Sequence, residues 1–155
     1  MKSILLITTL ITLATPPGMG IATPLIAQAA IPPLSSDTFQ LPSKNIHCVF
    51  TNDRAPAQSA FLRCDIQSKL KPMPATPKDG SCNLDWGNGL VLPKASKTEV
   101  LCAGDTIYDP SYPLLNYGKT WTKSGFTCQS SARGLTCTNP KGQGFFLNRQ
   151  EWRSF

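Results

Sequence analysis

The chain has 155 residues, with 15 Lys and Arg against 9 Asp and Glu and a formal net charge of +6. At this length it builds at most one compact domain, and 41% hydrophobic with 15% charged residues excludes a disordered polyelectrolyte. Its single histidine, His47, excludes a histidine-rich metal site and leaves any catalytic triad dependent on that one residue.

The N-terminus has the pattern of a secretory signal peptide. Lys2 precedes an apolar stretch from Ile4 to Ala14, which Pro16-Pro17-Gly18 ends. A membrane-spanning helix needs roughly 20 apolar residues, so this stretch is too short for one. Cleavage is predicted after Ala29, in the small-x-small sequence Ala27-Gln28-Ala29, and Gly20-Ile21-Ala22 is an alternative site.

The predicted organisation therefore has three parts. Residues 1–29 are the signal peptide, residues 30–38 an N-terminal linker, and residues 39–155 a single six-cysteine β domain. We expect a protein that is secreted or periplasmic, with no stable membrane span after processing.

All six cysteines lie in the part predicted to be exported. An even number in an oxidising compartment indicates a disulfide framework, and the strand pattern favours one connectivity. The cysteines are Cys48, Cys64, Cys82, Cys102, Cys128 and Cys137.

The clearest hairpin runs from Phe126 to Thr138. If residues 131–134 form the loop, with Gly134 at positive φ, Cys128 lies opposite Cys137. This register predicts a buried face and a wet face. The buried face holds Phe126, Cys128, Leu135 and Cys137, and the wet face holds Thr127, Gln129, Thr136 and Thr138.

A second hairpin follows the same logic around Cys48 and Cys64. Pairing these cysteines places a set of apolar residues on one face: Ile46, Cys48, Phe50, Leu62, Cys64 and Ile66. The polar loop 51–61, which contains Pro56, is predicted to be an exposed excursion. Both hairpins have the form apolar-x-Cys, turn, Leu-x-Cys, which we interpret as a weak internal repeat.

Between the two hairpins the chain predicts a three-stranded meander over residues 82–102. Its turns are Gly87-Asn88-Gly89 and residues 93–97, and Cys82 with Cys102 is the remaining pairing. The preceding segment, Ser68 to Gly80, holds three prolines and predicts an extended polyproline II stretch lying over the domain.

Two later segments lack a strand pattern. Tyr108 to Pro113 is irregular, and its two tyrosines either pack as lids or form a binding surface. At the C-terminus, Asn148 and Glu151 have the spacing of a capping box, which predicts a short helical turn ending with Trp152 and Phe155. The predicted fold is mainly β, a small disulfide-linked antiparallel sheet or barrel-like domain of hairpins.

Several of these motifs together resemble the bacterial secreted family called domain of unknown function 6636. The motifs span about Phe39 to Phe155: Phe39-x-Leu-Pro-Ser-Lys-Asn-Ile-His-Cys48, Leu62-Arg-Cys-Asp-Ile66, Cys82-x-Leu-Asp-Trp-Gly87, Leu101-Cys-Ala-Gly-Asp-Thr106, Asn116-Tyr-Gly118, Phe126-x-Cys128, Gly134-Leu-Thr-Cys137 and Gly142-x-Gly-Phe-Phe-Leu147. The resemblance implies bacterial export and a six-cysteine β domain, and it implies no established activity. The chain departs from the family pattern at two positions. Family members often have a small residue at the position of His47 and a histidine at the position of Gln143.

Asp85 and Asp105 are the candidate catalytic residues. Each follows a cysteine of the Cys82–Cys102 pair by three residues, so the link would bring both carboxylates to one end of the sheet. A glycosidase needs two carboxyl groups about 5 to 9 Å apart. The alternative is that each aspartate caps a turn.

The candidate binding residues alternate in the segment Tyr117-Gly-Lys119-Thr-Trp121-Thr-Lys123. On a strand, these four side chains share one face, which can stack on a sugar or base and hold an anion. The alternative is that the aromatic rings are half-buried beneath lysine stems.

We therefore expect a non-catalytic domain that binds an envelope or extracellular ligand of anionic character. It is predicted to be a monomer without cofactor, bound metal or nucleic-acid partner. Two alternatives stay open: a secreted glycan hydrolase that uses Asp85 and Asp105, and a hydrolase inhibitor that presents the loop 51–61.

Overall fold

The computed structural model describes Leu34, residues 36–52 and residues 60–155. The predicted signal peptide, most of the predicted linker and residues 53–59 of the predicted excursion lie outside the described residues. Within them every regular element is a β-strand, and no helix is long and apolar enough to cross a membrane.

The described residues form two five-stranded antiparallel sheets, each a simple meander in chain order. Sheet 1 consists of β1 (Thr38–Gln40), β2 (Ile46–Thr51), β3 (Phe61–Ile66), β4 (Trp86–Pro93) and β5 (Glu99–Cys102). Sheet 2 consists of β6 (Thr120–Lys123), β7 (Phe126–Ser131), β8 (Gly134–Thr138), β9 (Gly144–Leu147) and β10 (Trp152–Ser154). The mainly β prediction is confirmed.

Both predicted cysteine hairpins are confirmed in their exact register. Cys48 lies opposite Cys64 in β2–β3, and Cys128 lies opposite Cys137 in β7–β8. These two pairs form disulfides, and Cys82–Cys102 is the third. Four of the six cysteines are fully buried, whereas Cys82 and Cys102 are half-buried.

The apolar faces predicted for the two hairpins pack into a single hydrophobic core. Residues from both sheets belong to one buried cluster, in which Trp121 of β6 contacts Phe39 of β1 with ring centroids 5.1 Å apart. Phe50 of β2 and Phe126 of β7 form a second aromatic contact between the sheets at 5.6 Å. The two sheets thus bury their apolar faces against each other.

The weak repeat predicted for the hairpins extends over four strands of each sheet. In sheet 1, Phe39 pairs with Cys48, and Cys64 pairs with Leu90. At the corresponding positions of sheet 2, Trp121 pairs with Cys128, and Cys137 pairs with Phe145. A glycine precedes both Leu90 and Phe145. A Cβ at Gly89 would overlap the carbonyl oxygen of Cys64, and a Cβ at Gly144 would overlap that of Cys137. The sheets are therefore two copies of one strand arrangement.

The outer edges of β1 and β6 are covered reciprocally. Leu34, which precedes β1, forms a parallel bridge beside Trp121, and Leu114, which precedes β6, forms a parallel bridge beside Gln40. Each bridge covers an edge that would otherwise leave backbone groups unpaired. Leu34 lies in the segment predicted as the N-terminal linker.

The predicted Gly87-Asn88-Gly89 turn is wrong. These residues lie inside β4, where the register shifts between Trp86 and Leu90. The glycines serve close packing rather than chain reversal, because Gly89 lies against the backbone of β3 and Gly87 against the side chain of Met73. The β4–β5 hairpin that follows agrees with the predicted meander.

The predicted C-terminal helical turn is also wrong. Asn148 Oδ1 accepts hydrogen bonds from the N–H groups of Gln150 and Glu151, which is the chemistry expected of a cap. The segment closes a tight turn instead, with Asn148 N–H donating to Glu151 O, and β10 then pairs with the exposed edge of β9.

The proline-rich segment crosses the surface as predicted, without regular structure. Two indole N–H groups hold it: Trp86 donates to Pro74 O at 3.2 Å and Trp152 donates to Pro72 O at 2.9 Å. Leu70 anchors its beginning in the core.

The difference in burial predicts selective reduction of the disulfides. A thiolate reaches a disulfide only if the sulfur is accessible. Under mild thiol at neutral pH, without denaturant, we expect Cys82–Cys102 to open while Cys48–Cys64 and Cys128–Cys137 stay closed. Peptide mapping after alkylation checks this, and labelling of Cys48 or Cys128 in the folded protein would contradict it.

Candidate ligand-binding groove and histidine pocket

The structure separates the four predicted binding residues. Tyr117 and Lys119 are exposed and precede β6, whereas Trp121 is fully buried, with its indole N–H donating to Ser36 O at 2.6 Å. Lys123 forms an ion pair with Asp37 and lies 5.9 Å over the ring of Phe50. The prediction of one exposed face is wrong for Trp121, because its side of β6 faces the core.

Asp85 and Asp105, the candidate catalytic residues, have different surroundings. Asp85 is exposed and contributes its carbonyl oxygen to a hydrogen bond from Ala103 N–H. The carboxylate of Asp105 accepts a hydrogen bond from Arg63 Nη1 at 2.9 Å, so its charge is compensated. Neither aspartate makes the predicted side-chain cap among the described residues.

A cavity lies at one end of sheet 2, where the β7–β8 and β9–β10 turns meet. It has a volume of about 630 Å³ and adjoins a second cavity of about 230 Å³. The two share Ser131, Ala132, Arg133, Asn148 and Gln150. We call the two adjoining cavities together the arginine groove, because Arg133 lines both, Arg153 the larger and Arg149 the smaller.

The floor of the arginine groove is held by short-range contacts between the two turns. Asn148 Nδ2 donates to Arg133 O at 2.9 Å, which ties the β9–β10 turn to the β7–β8 turn. Gly134 permits this approach, since a Cβ there would lie 2.6 Å from Leu147 O. The backbone positions of Arg133 and Arg149 are thereby fixed relative to each other.

The groove is basic, with one acidic side chain. Arg153 stacks on Phe146 at 4.5 Å and makes a loose ion pair with Glu151 at 3.5 Å. Within the described part of the chain, the guanidinium groups of Arg133 and Arg149 have no side-chain partner, and both residues are exposed. Tyr117, one of the predicted binding residues, lines the smaller cavity and is 46% exposed.

A second polar site lies on the outer face of sheet 1. There Gln40, His47 and Asp65 occupy directly paired positions on β1, β2 and β3. The segment after β5 covers them, with the ring of Tyr108 edge-on to His47 at 4.6 Å. Gln40 Nε2 fixes this cover by donating to Pro110 O at 2.8 Å and Tyr112 O at 2.6 Å.

Arg63 organises the carboxylates of this second site. Its Nε and Nη2 donate to the two oxygens of Asp65 at 2.8 and 3.0 Å, and it also contacts both the side chain and the carbonyl oxygen of Asp105. Asp65 Oδ2 additionally accepts the N–H of Ile107 at 3.1 Å. The remaining space is a cavity of about 120 Å³, the His47 pocket, lined by His47, Asp65, Asp105 and Tyr108 among others.

His47 is only 1% exposed, and its Nε2 has no hydrogen-bond partner among the described residues. Burial lowers the pKa of its imidazole below the ordinary 6.5, against the opposing charges of Asp65 and Asp109. Hydrogen bonds from Ser111 lower the pKa of Asp109, and burial raises the pKa of Tyr112. The lowered pKa of His47 favours its neutral imidazole at pH 7.

The neutral ring predicts acid sensitivity of folding. Since the folded-state pKa of His47 is below 6.5, the unfolded chain binds more protons as the pH falls through that value, and this contribution to stability is lost. We expect the unfolding free energy of the native protein to fall more between pH 7.5 and pH 5 than that of His47→Gln. Parallel denaturant titrations check this, and identical pH profiles would contradict it.

Among the described residues, no group of three or more His, Cys, Asp or Glu side chains is placed to hold a metal ion. The sequence interpretation missed both sites, although it held a signal for each. The predicted Cys48–Cys64 register already places His47 opposite Asp65. The predicted loop 131–134 already contains Arg133, but the segment that holds Arg149 was interpreted as a helical turn.

Fold and site together define a disulfide-linked, two-sheet β domain with a basic surface groove. No curated protein matches the chain, and no solved structure matches it. The chain belongs to the family of unknown function DUF6636, which it matches over residues 19–155. This confirms the family resemblance carried by the sequence motifs.

Proposed function

We propose that the protein is a non-catalytic binding domain for an acidic polysaccharide, exported to the cell envelope or beyond. The observation that carries this proposal is the convergence of three arginines and an exposed tyrosine in the arginine groove. The predicted signal peptide and the three disulfides support work in an oxidising compartment.

The chemistry of the groove fits a chain of uronic acids. A guanidinium binds a carboxylate through two parallel hydrogen bonds, and Arg133 and Arg149 are available for this contact. The face of Tyr117 suits the apolar face of a sugar ring, while the side-chain amide of Gln150 suits its hydroxyl groups. An extended polymer suits a groove formed by two adjoining cavities better than a small molecule does.

The test compares binding of polygalacturonate oligomers with binding of their methyl-esterified, uncharged form by calorimetry. We expect the acidic oligomers to bind and the neutral ones to bind at least tenfold more weakly. Because the contacts are charged and exposed, affinity for the acidic form should also fall as salt rises.

The matched variants remove equal charge at two places. Arg133→Ala, Arg149→Ala and Arg153→Ala together should weaken binding by at least tenfold, since several exposed charge contacts of roughly 0.5 to 1 kcal/mol each are lost. Lys78→Ala, Lys97→Ala and Lys141→Ala together remove the same charge from exposed sites outside the groove. Equal weakening by both triple variants would show attraction to net charge alone and would overturn the proposal.

A further inference from the structure

The His47 pocket lies apart from the arginine groove and has the opposite electrostatic character. The chain carries a net charge of +6, yet Asp65 and Asp105 share one guanidinium, that of Arg63, and the charge of Asp109 also acts on His47. Burial lowers the pKa of the His47 imidazole, which opposes a compensating positive charge there. This corner of sheet 1 is therefore locally acidic on a basic protein.

The pocket also contains a buried polar atom that has no hydrogen-bond partner among the described residues. His47 is buried, lines the cavity, and has no partner at Nε2 among the described residues. A buried polar atom without a partner destabilises the fold, so such atoms are rare unless a ligand or water meets them. In neutral imidazole one ring nitrogen is an acceptor, and the carboxylates of Asp65 and Asp105 are acceptors only.

We propose that the His47 pocket binds a primary ammonium group. An ammonium ion brings three donors and a positive charge, and both requirements of the pocket are met by one such group. His47 Nε2 and Asp105 accept its N–H groups, and the ring of Tyr108, packed against His47, provides an aromatic surface for the cation.

Size sets the part of the ligand that enters. A volume of about 120 Å³ corresponds to about four water molecules at about 30 Å³ each. That space accepts a short alkylammonium head group and excludes a sugar ring. The rest of the bound ligand extends into solvent beside Asp105, whose side chain is 72% exposed.

The geometry is fixed before the ligand arrives. Arg63 positions Asp65 and Asp105 by donating hydrogen bonds to both carboxylates. Gln40 positions the covering segment, which includes Tyr108, by donating to the carbonyl oxygens of Pro110 and Tyr112. Groups that face His47 come from three elements: Gln40 of β1, Asp65 of β3, and the cover with Tyr108, Asp109 and Tyr112. Binding thus requires little reordering.

The single histidine makes the test direct, because every imidazole NMR signal belongs to His47. The imidazole nitrogen and carbon shifts are followed at pH 7.5 during titration with ethylammonium chloride. Tetramethylammonium chloride at equal ionic strength is the control ligand, since it has the charge but no N–H donor. We expect a saturable shift with ethylammonium and no saturable shift with tetramethylammonium.

Two aspartate variants test whether ethylammonium binds in the His47 pocket. Asp105→Asn keeps an oxygen for Arg63 but removes the charge, and it should weaken ethylammonium binding at least fivefold. Asp85→Asn removes an exposed charge that does not line the pocket and should change affinity less than twofold. Absence of a saturable shift, an equal response to tetramethylammonium, or unchanged affinity in Asp105→Asn would each overturn the proposal.

Discussion

We expect Gly144→Ala to destabilise the pairing of β9 with β8 in sheet 2. Gly89→Ala should likewise destabilise the pairing of β4 with β3 in sheet 1. At either position the new Cβ would overlap the carbonyl oxygen of a disulfide cysteine on the neighbouring strand, Cys137 or Cys64. Backbone cannot move aside as a flexible side chain can, because both cysteines are fixed by their disulfides. We expect each substitution to cost about 3 kcal/mol or more of unfolding free energy.

Gly118→Ala is the matched control for both glycine variants. Gly118 has a positive φ of 79°, but no atom lies within 4 Å of the position that its Cβ would take. Alanine there should cost only about 1 kcal/mol, the conformational penalty of the left-handed region. Denaturant unfolding at neutral pH measures all three variants, and similar losses at Gly118 and Gly144 would contradict the close approach of the strands.

Replacing Trp121 by alanine is the second change with a large expected effect. The indole is fully buried between Phe39 and Phe50 and donates to Ser36 O, so its removal opens a cavity between the sheets and leaves that carbonyl without its partner. We expect a loss of about 4 kcal/mol.

Tyr117→Ala, four residues away, should cost less than about 1 kcal/mol because the ring is 46% exposed. The pair distinguishes a core residue from a surface residue in the same segment. A small effect at Trp121 together with retained folding would contradict the position of β6 and return Trp121 to the candidate binding residues.

The cysteine hairpins could be predicted because local rules determine them. Strand alternation and the loop 131–134 fix the register, and a one-residue slip would turn Cys137 away from Cys128. The register then fixes the disulfide and both faces of the hairpin. The same reasoning gave the β2–β3 pair, although its loop is longer.

The failures share a cause, which is that tertiary packing overrides local signals. Gly87 and Gly89 predict a turn in sequence, but they are glycines because Met73 and the backbone of β3 lie against them. Asn148 makes cap-like hydrogen bonds, yet the exposed edge of β9 draws the following residues into β10. Neither neighbour is local in sequence.

The candidate site was predicted only in part for the same reason. The alternation placed Trp121 and Lys123 on one face of β6, but which face meets the core depends on Phe39 and Phe50 of the other sheet. Tyr117 lines the smaller cavity of the arginine groove, and its role as a binding residue stays a prediction. The arginines join it only through the meeting of two turns that are separate in sequence.

The most direct test of the central claim, that the arginine groove binds an acidic polysaccharide, is a map of backbone amide shifts during titration with polygalacturonate oligomers. The account predicts that the shifted amides cluster in residues 129–136 and 146–153, at Tyr117, and at the residues of the β1–β2 connection that line the smaller cavity, Leu41, Ser43, Asn45 and Ile46. The rest of sheet 1 should be unaffected. Absence of saturable shifts, or a cluster elsewhere on sheet 1 or along residues 68–80, would contradict it.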